Sequence, residues 1–133
     1  MRVELFGSSV WVDRETTETW YAGAGPWDCT CGYCRNFLAL AEKRQLPKAV
    51  LDTLDPLGIP PEKATYVCEL SPDGEEVHYQ FSYRLAGCII EDGEDGVGRC
   101  CHESYPYGAP GFPEPHFDLE FCYTLPWVLE ESK

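Results

Sequence analysis

Positively charged residues are scarce in this sequence. Ten Lys and Arg residues stand against 23 Asp and Glu residues, so the formal net charge is −13 at pH 7. A surface of this sign repels phosphate groups and releases no counterions, so we expect no nucleic acid and no anionic membrane as a partner. The charge favours solubility, and among macromolecules it favours a basic protein as a partner.

Long apolar segments are also missing. No run approaches the roughly 20 apolar residues of a membrane-spanning helix, and residues 1–6 lack the basic start and apolar run of a signal peptide. The single Asn, Asn36, is followed by Phe37 and Leu38 and therefore forms no N-glycosylation sequon. We therefore expect a cytoplasmic location.

Repeats, linkers and familiar catalytic motifs are absent as well. The chain has no low-complexity tract that would separate domains, and its 133 residues fit a single domain, 1–133. It contains no P-loop, no G-x-S-x-G and no H-E-x-x-H, and the acidic turn 91–98 lacks the spacing of a calcium-binding EF-hand loop. These absences favour a protein that is not an enzyme.

The residue pattern predicts an α+β fold. β-prone or alternating sequences predict strands at residues 2–6, 10–13, 17–22, 65–70, 77–85, 88–90 and 117–127. Apolar spacing predicts one helix from Cys34 to a stop at Pro47 and a second over 47–57. The polar residues of 77–85 should face solvent, and 105–115, with four Pro, should be an irregular loop. We expect a mostly antiparallel sheet with two helices packed on one face.

Cysteine is the residue type in excess, with eight in the chain. In a reducing compartment, thiols serve as metal ligands, redox groups or small core residues rather than as disulfides. Cys29, Cys31 and Cys34 combine a C-x-C with a C-x-x-C where a loop meets the first predicted helix. An extended loop places Cys29 and Cys31 on one side, and a turn at Gly32 lets Cys34 reach back, so three thiolates can converge on one ion.

A structural zinc site needs four ligands, so this interpretation requires a fourth from elsewhere. The candidates are Cys100, Cys101, His102, His116 and Cys122. We favour the loop at 100–102, and predict zinc bound by Cys29, Cys31 and Cys34 with Cys101 and His102. Two ligands from that loop would also allow one of the three N-terminal thiols to stay free. Cys68 and Cys88 lie beside apolar residues and are predicted to be core thiols.

The stretch Cys31-Gly32-Tyr33-Cys34 also resembles the C-x-Y-C active site of glutaredoxins. That resemblance implies thiol-disulfide exchange, with Cys31 as the attacking and Cys34 as the resolving thiol. Residues 21–28, however, are broken by Gly and Pro where the glutaredoxin fold needs a buried strand. Thiol-disulfide oxidoreduction therefore stands as the alternative hypothesis.

The run W-x-C-x-C-x-Y-C-R-N-F at 27–37, with L-P-W-V-L at 125–129, resembles a family of small uncharacterised bacterial proteins. The resemblance covers most of the chain and implies a bacterial cytosolic origin, with no activity attached; the Cys100-Cys101 pair is not part of its pattern. Our first hypothesis is therefore a non-enzymatic, metal-stabilised binding or scaffold domain. A third hypothesis is an acidic immunity- or inhibitor-like protein that binds a basic target.

Overall fold

The computed structural model describes residues 1–73, 75–93, 95–102 and 108–131. Within these residues the strands are β1 (Arg2–Leu5), β2 (Ser8–Val12), β3 (Tyr66–Asp73), β4 (Glu76–Glu91), β5 (Arg99–Cys101) and β6 (His116–Pro126). The helices are α1 (Arg14–Ala22), α2 (Gly32–Glu42) and α3 (Lys48–Leu54). This confirms the α+β class. Residues 105–107 of the predicted loop, and Glu94 of the acidic turn, lie outside the described residues.

All strand pairs are antiparallel, and β4 is the centre of the sheet. One edge of β4 pairs with β6 from Glu76↔Pro126 to Ala86↔His116. The other edge pairs with β3 in its first half and with β2 in its second half. β1 extends the sheet beyond β2, and β5 extends it beyond β6.

The predicted separate strand at 88–90 is wrong, because these residues continue β4. Gly87 allows the continuation: its φ is +140°, and a Cβ there would lie 1.8 Å from the carbonyl oxygen of Trp11 on β2. Only glycine permits so close an approach of the two backbones. The sequence pattern treats this glycine as a break, whereas the structure uses it inside one long strand.

The core lies between one face of the sheet and the helices α2 and α3. The apolar residues of β4 that alternate along the strand are fully buried: Val77, Tyr79, Phe81, Tyr83 and Leu85. The ring of Phe37 on α2 packs on Phe81 with centroids 5.0 Å apart. Val50 and Leu54 of α3 belong to the same cluster. The alternation in 77–85 therefore correctly predicts the buried face.

Residues 17–22, predicted as a strand, belong instead to the helix α1. Asp13 caps its N-terminus, because Asp13 Oδ1 accepts a hydrogen bond from Thr16 N at 3.0 Å. The helix covers the edge of β4 between β2 and β3: Thr17 Oγ1 accepts from Ala86 N at 3.0 Å, and Tyr21 OH donates to the carbonyl of Arg84 at 2.7 Å. Both backbone groups would otherwise be buried without partners.

The second face of the sheet is less exposed to solvent than the sequence predicts. Arg84 and Asp118 lie opposite each other on β4 and β6 and form a two-pronged ion pair at 2.9 and 3.2 Å. Their side chains are 2% and 1% exposed. Ser82 is buried beside them, so the prediction of a solvent-facing polar row is wrong at Ser82 and Arg84. Paired charges satisfy each other and tolerate this burial.

None of the helices in the described part of the chain is both long enough and apolar enough to cross a membrane.

Candidate metal centre

The three N-terminal cysteines lie where an irregular loop enters α2. The loop is held to the rest of the chain by Trp27, whose backbone N–H donates to the carbonyl of Glu62 at 2.9 Å. Cys31 is the N-cap of α2, with extended backbone angles, and its Sγ accepts from Cys34 N at 3.4 Å. A cap requires a side-chain acceptor aimed at the first turn, so the start of the helix itself orients the Cys31 sulfur toward Cys34.

The sulfurs of Cys29, Cys31 and Cys34 form a compact group. All three lie within 4.8 Å of one another, and the Cys29 and Cys31 sulfurs are 3.6 Å apart. Zinc bound tetrahedrally to sulfur at about 2.3 Å holds its sulfurs about 3.8 Å apart, so only small shifts of the three sulfurs are needed. Cys29 and Cys31 are exposed, Cys34 is buried, and all three are free thiols. The group can therefore hold a metal ion.

The surroundings of the sulfur group shift the pKa values of Cys34 and Cys29 in opposite directions. Burial raises the pKa of Cys34 to about 12, although the nearby indole N–H of Trp27 opposes the rise. The pKa of Cys29 is lowered, chiefly because the backbone N–H of Cys31 donates to its sulfur. A cation bound among the sulfurs would reverse the effect at Cys34, because a metal displaces the thiol proton.

The indole N–H of Trp27 lies at the inner side of the group. This nitrogen is buried and has no hydrogen-bond partner of good geometry, although it is close enough to Cys34 to lower the pKa of that thiol. A buried N–H without a full hydrogen bond is costly. A negatively charged Cys34 sulfur would give it a stronger acceptor than a neutral thiol does.

Asn36, the only asparagine in the chain, fixes the first turns of α2 against the end of β6. Its side chain is fully buried, and its Nδ2 donates to the carbonyl of Pro126 at 3.1 Å and to Tyr79 OH at 3.3 Å. Its Oδ1 accepts from the backbone N–H of Val128 at 2.7 Å. Tyr79 OH in turn donates to the carbonyl of Tyr33 at 2.7 Å. We call these contacts the Asn36 clamp.

Trp127 and Glu131 complete the contact between the first turn of α2 and the residues that follow β6. The Trp127 ring meets Tyr33 edge to face, with centroids 5.9 Å apart, and its Nε1 donates to the carbonyl of Glu131 at 2.7 Å. Arg35 pairs with the Glu131 carboxylate and donates to the carbonyl of Thr30. The two sequence motifs, 27–37 and 125–129, therefore meet in space and form one unit around the cysteines.

Cys101 and His102 are not part of this sulfur group. Cys101 ends β5 opposite Asp118 of β6, and its Sγ lies 3.9 Å from Glu120 Oε2. The Asn36 clamp contacts β6 at Pro126, eight residues from Asp118. At about 3.3 Å per residue, that places the two positions roughly 26 Å apart along the strand. His102 follows Cys101 and is exposed. The structure thus joins three of the five predicted ligands.

The other cysteines are scattered over the sheet. Cys100 is buried, Cys68 is half-buried, and Cys122 is exposed. The prediction that Cys88 is a core thiol is wrong: Cys88 is exposed, and it lies opposite Trp11, which is exposed as well.

A cavity of about 1060 Å³ lies beside the loop that carries the cysteines. Its walls include the rings of Trp20, Trp27 and Tyr66, with Lys63 and Asp28 among the polar groups. Trp27 and Tyr66 meet nearly at right angles, with centroids 6.5 Å apart. No sequence pattern identifies this cavity, because its walls come from three separate parts of the chain.

No protein-family model, curated protein or solved structure matches this chain. The function therefore has to be inferred from the geometry of the site itself.

Proposed function

We propose that this protein is a metal-stabilised binding or scaffold domain in which Cys29, Cys31 and Cys34 bind a zinc ion. The observation that carries the proposal is the mutual approach of the three sulfurs within 4.8 Å. Thiolates are preferred ligands of zinc, which brings no redox chemistry of its own.

The position of the group supports a structural role. An ion bound there would tie the loop before α2 to the first turn of that helix, since Cys29 and Cys31 precede the helix and Cys34 lies within it. The Asn36 clamp connects the same turn to the end of β6. Binding of a structural zinc ion contributes on the order of 10 kcal/mol to folding in small zinc domains.

Metal analysis of protein purified under reducing conditions, without a nickel column, tests this proposal. We expect about one zinc per chain, and replacement of any one of the three cysteines by Ser should weaken zinc binding by roughly tenfold or more. Cys88→Ser and Cys122→Ser are matched controls, because both thiols are exposed and lie on the sheet. Less than about a tenth of an equivalent of metal in reduced wild-type protein would refute the proposal.

Thiol-disulfide exchange is the second candidate, favoured by the 3.6 Å separation of the exposed Cys29 and Cys31 sulfurs. In this structure the thiol with the lowered pKa is Cys29, whereas the glutaredoxin resemblance implies Cys31 as the attacking thiol. Alkylation rates of metal-free protein near pH 7 distinguish the candidates. A Cys29 that reacts no faster than a free thiol excludes an exchange mechanism that starts from this residue.

A further inference from the structure

The three sulfurs differ in their exposure to solvent. Cys34 is the buried member, and Trp27 and Tyr79 lie on its side, whereas Cys29 and Cys31 are exposed to solvent. An ion held by the sulfurs would therefore be covered by protein on the Cys34 side and open to solvent on the other.

The groups beneath the sulfurs have no free ligand atom. The Tyr79 hydroxyl donates to the carbonyl of Tyr33 and accepts from Asn36 Nδ2. The Asn36 oxygen is occupied by the backbone N–H of Val128, and the Trp27 indole nitrogen is a donor that cannot bind a cation. A fourth ligand from this side would require the Asn36 clamp to open.

No His, Asp, Glu or further Cys among the described residues joins the sulfur group within 4.8 Å. Glu69 lies close enough for its charge to act on Cys29 and is exposed. Its carboxylate therefore needs a direct test as a ligand, as do Cys101 and His102.

We infer that one coordination position of the zinc ion, on the Cys29–Cys31 side, has no protein ligand. This position takes an exchangeable small ligand, which is water or a neutral or cationic thiol. This inference rests on the proposed function. Three protein ligands with one open position is the arrangement of zinc sites that accept a substrate or a further ligand. A soft donor such as sulfur suits a centre that already holds three thiolates.

The negative charge of the zinc site should favour positively charged thiols over negatively charged ones. Zinc with three thiolates is an anionic centre, and it belongs to a chain of net charge −13. A thiol that carries an ammonium group is attracted to this centre, and one that carries a carboxylate is repelled. Attraction of the one thiol and repulsion of the other should give the ammonium thiol a roughly tenfold or higher affinity than the carboxylate thiol at low salt.

The test uses the full chain with Co²⁺ in place of zinc, under anaerobic conditions, because cobalt reports its ligands in the visible spectrum. We expect a spectrum of three sulfurs and one lighter ligand. Saturating cysteamine should convert this cobalt spectrum to that of a four-sulfur site. Cysteamine should bind about tenfold more tightly than mercaptoacetate, and this difference in affinity should shrink in high salt. Gel filtration of the mixture should show that cobalt stays with the protein.

Three results would overturn the inference and leave the proposed metal site intact. One is a cobalt spectrum that does not change with excess cysteamine. Another is a fourth ligand from the chain, shown by an altered spectrum in Glu69→Gln, Cys101→Ser or His102→Ala. The third is a spectrum that depends on protein concentration, because the fourth ligand would then come from a second copy. Failure to bind either cobalt or zinc would overturn both the inference and the proposed function.

Discussion

Replacing Asn36 by Ala should destabilise the protein substantially, because this change removes every hydrogen bond that the Asn36 side chain makes in the clamp. The side chain is fully buried and takes part in hydrogen bonds to Tyr79, Pro126 and Val128 at 3.3, 3.1 and 2.7 Å. At about 0.5–1.5 kcal/mol for each bond, the expected loss is about 2–4 kcal/mol. For a domain of this size, that lowers Tm by roughly 10 °C.

Thermal and urea unfolding of Asn36→Ala, each with and without zinc, provides the assay. Thr124→Ala is a suitable control, because Thr124 lies on β6 close to the clamp but is exposed. Its side chain makes one exposed hydrogen bond, to His78, so its loss should change stability by less than about 1 kcal/mol. The loss in Asn36→Ala should be similar with and without zinc, since the clamp does not involve the sulfurs. A loss below about 1 kcal/mol, or one equal to that of Thr124→Ala, would refute the reasoning.

Three further changes test the rest of the fold. Asp118→Ala should lower the free energy of unfolding in urea by about 3–5 kcal/mol, because it leaves Arg84 buried without its main partner. A double variant, Arg84→Met with Asp118→Leu, should lose much less stability. Equal losses in the two variants would contradict this expectation. Burial raises the pKa of Cys100 from 9.0 to about 12. The buried neutral thiol therefore stabilises the fold fully below pH 9, and this stabilisation is lost as the pH rises toward 12. Urea unfolding at each pH should show that Cys100→Ala loses less stability over this range than the wild-type protein does. Gly87→Ala should prevent folding, judged by circular dichroism, since a Cβ there would lie 1.8 Å from the Trp11 carbonyl oxygen; a folded variant of normal stability would refute the close approach.

The sequence predicts the parts of the fold that depend on local alternation. The hairpin of β3 and β4, and the strand β6, follow from apolar residues at every second position. α1 is missed because Thr, Trp and Tyr in 17–22 favour strands, while its helical state depends on the edge of β4 that it covers. Asp13 before Thr16 is the local capping signal that identifies this helix.

In the candidate site, too, the sequence predicts the local contacts and not the long-range ones. Spacing alone brings Cys29, Cys31 and Cys34 together, since all three lie within one loop and one helical turn. The Asn36 clamp joins residues that lie between 43 and 92 positions apart in the sequence, and no local pattern predicts such contacts. Cys101 and His102 have suitable ligand chemistry, but spacing along the chain does not show that most of β6 separates them from the clamp.

X-ray absorption at the zinc edge, on the reduced protein loaded with zinc, tests the central claim most directly. A shell of about three sulfurs at ~2.3 Å, with one lighter ligand at ~2.0–2.1 Å, is the result that we predict. A first shell made only of nitrogen and oxygen, or one that is unchanged when Cys29, Cys31 and Cys34 are all replaced by Ser, would contradict it.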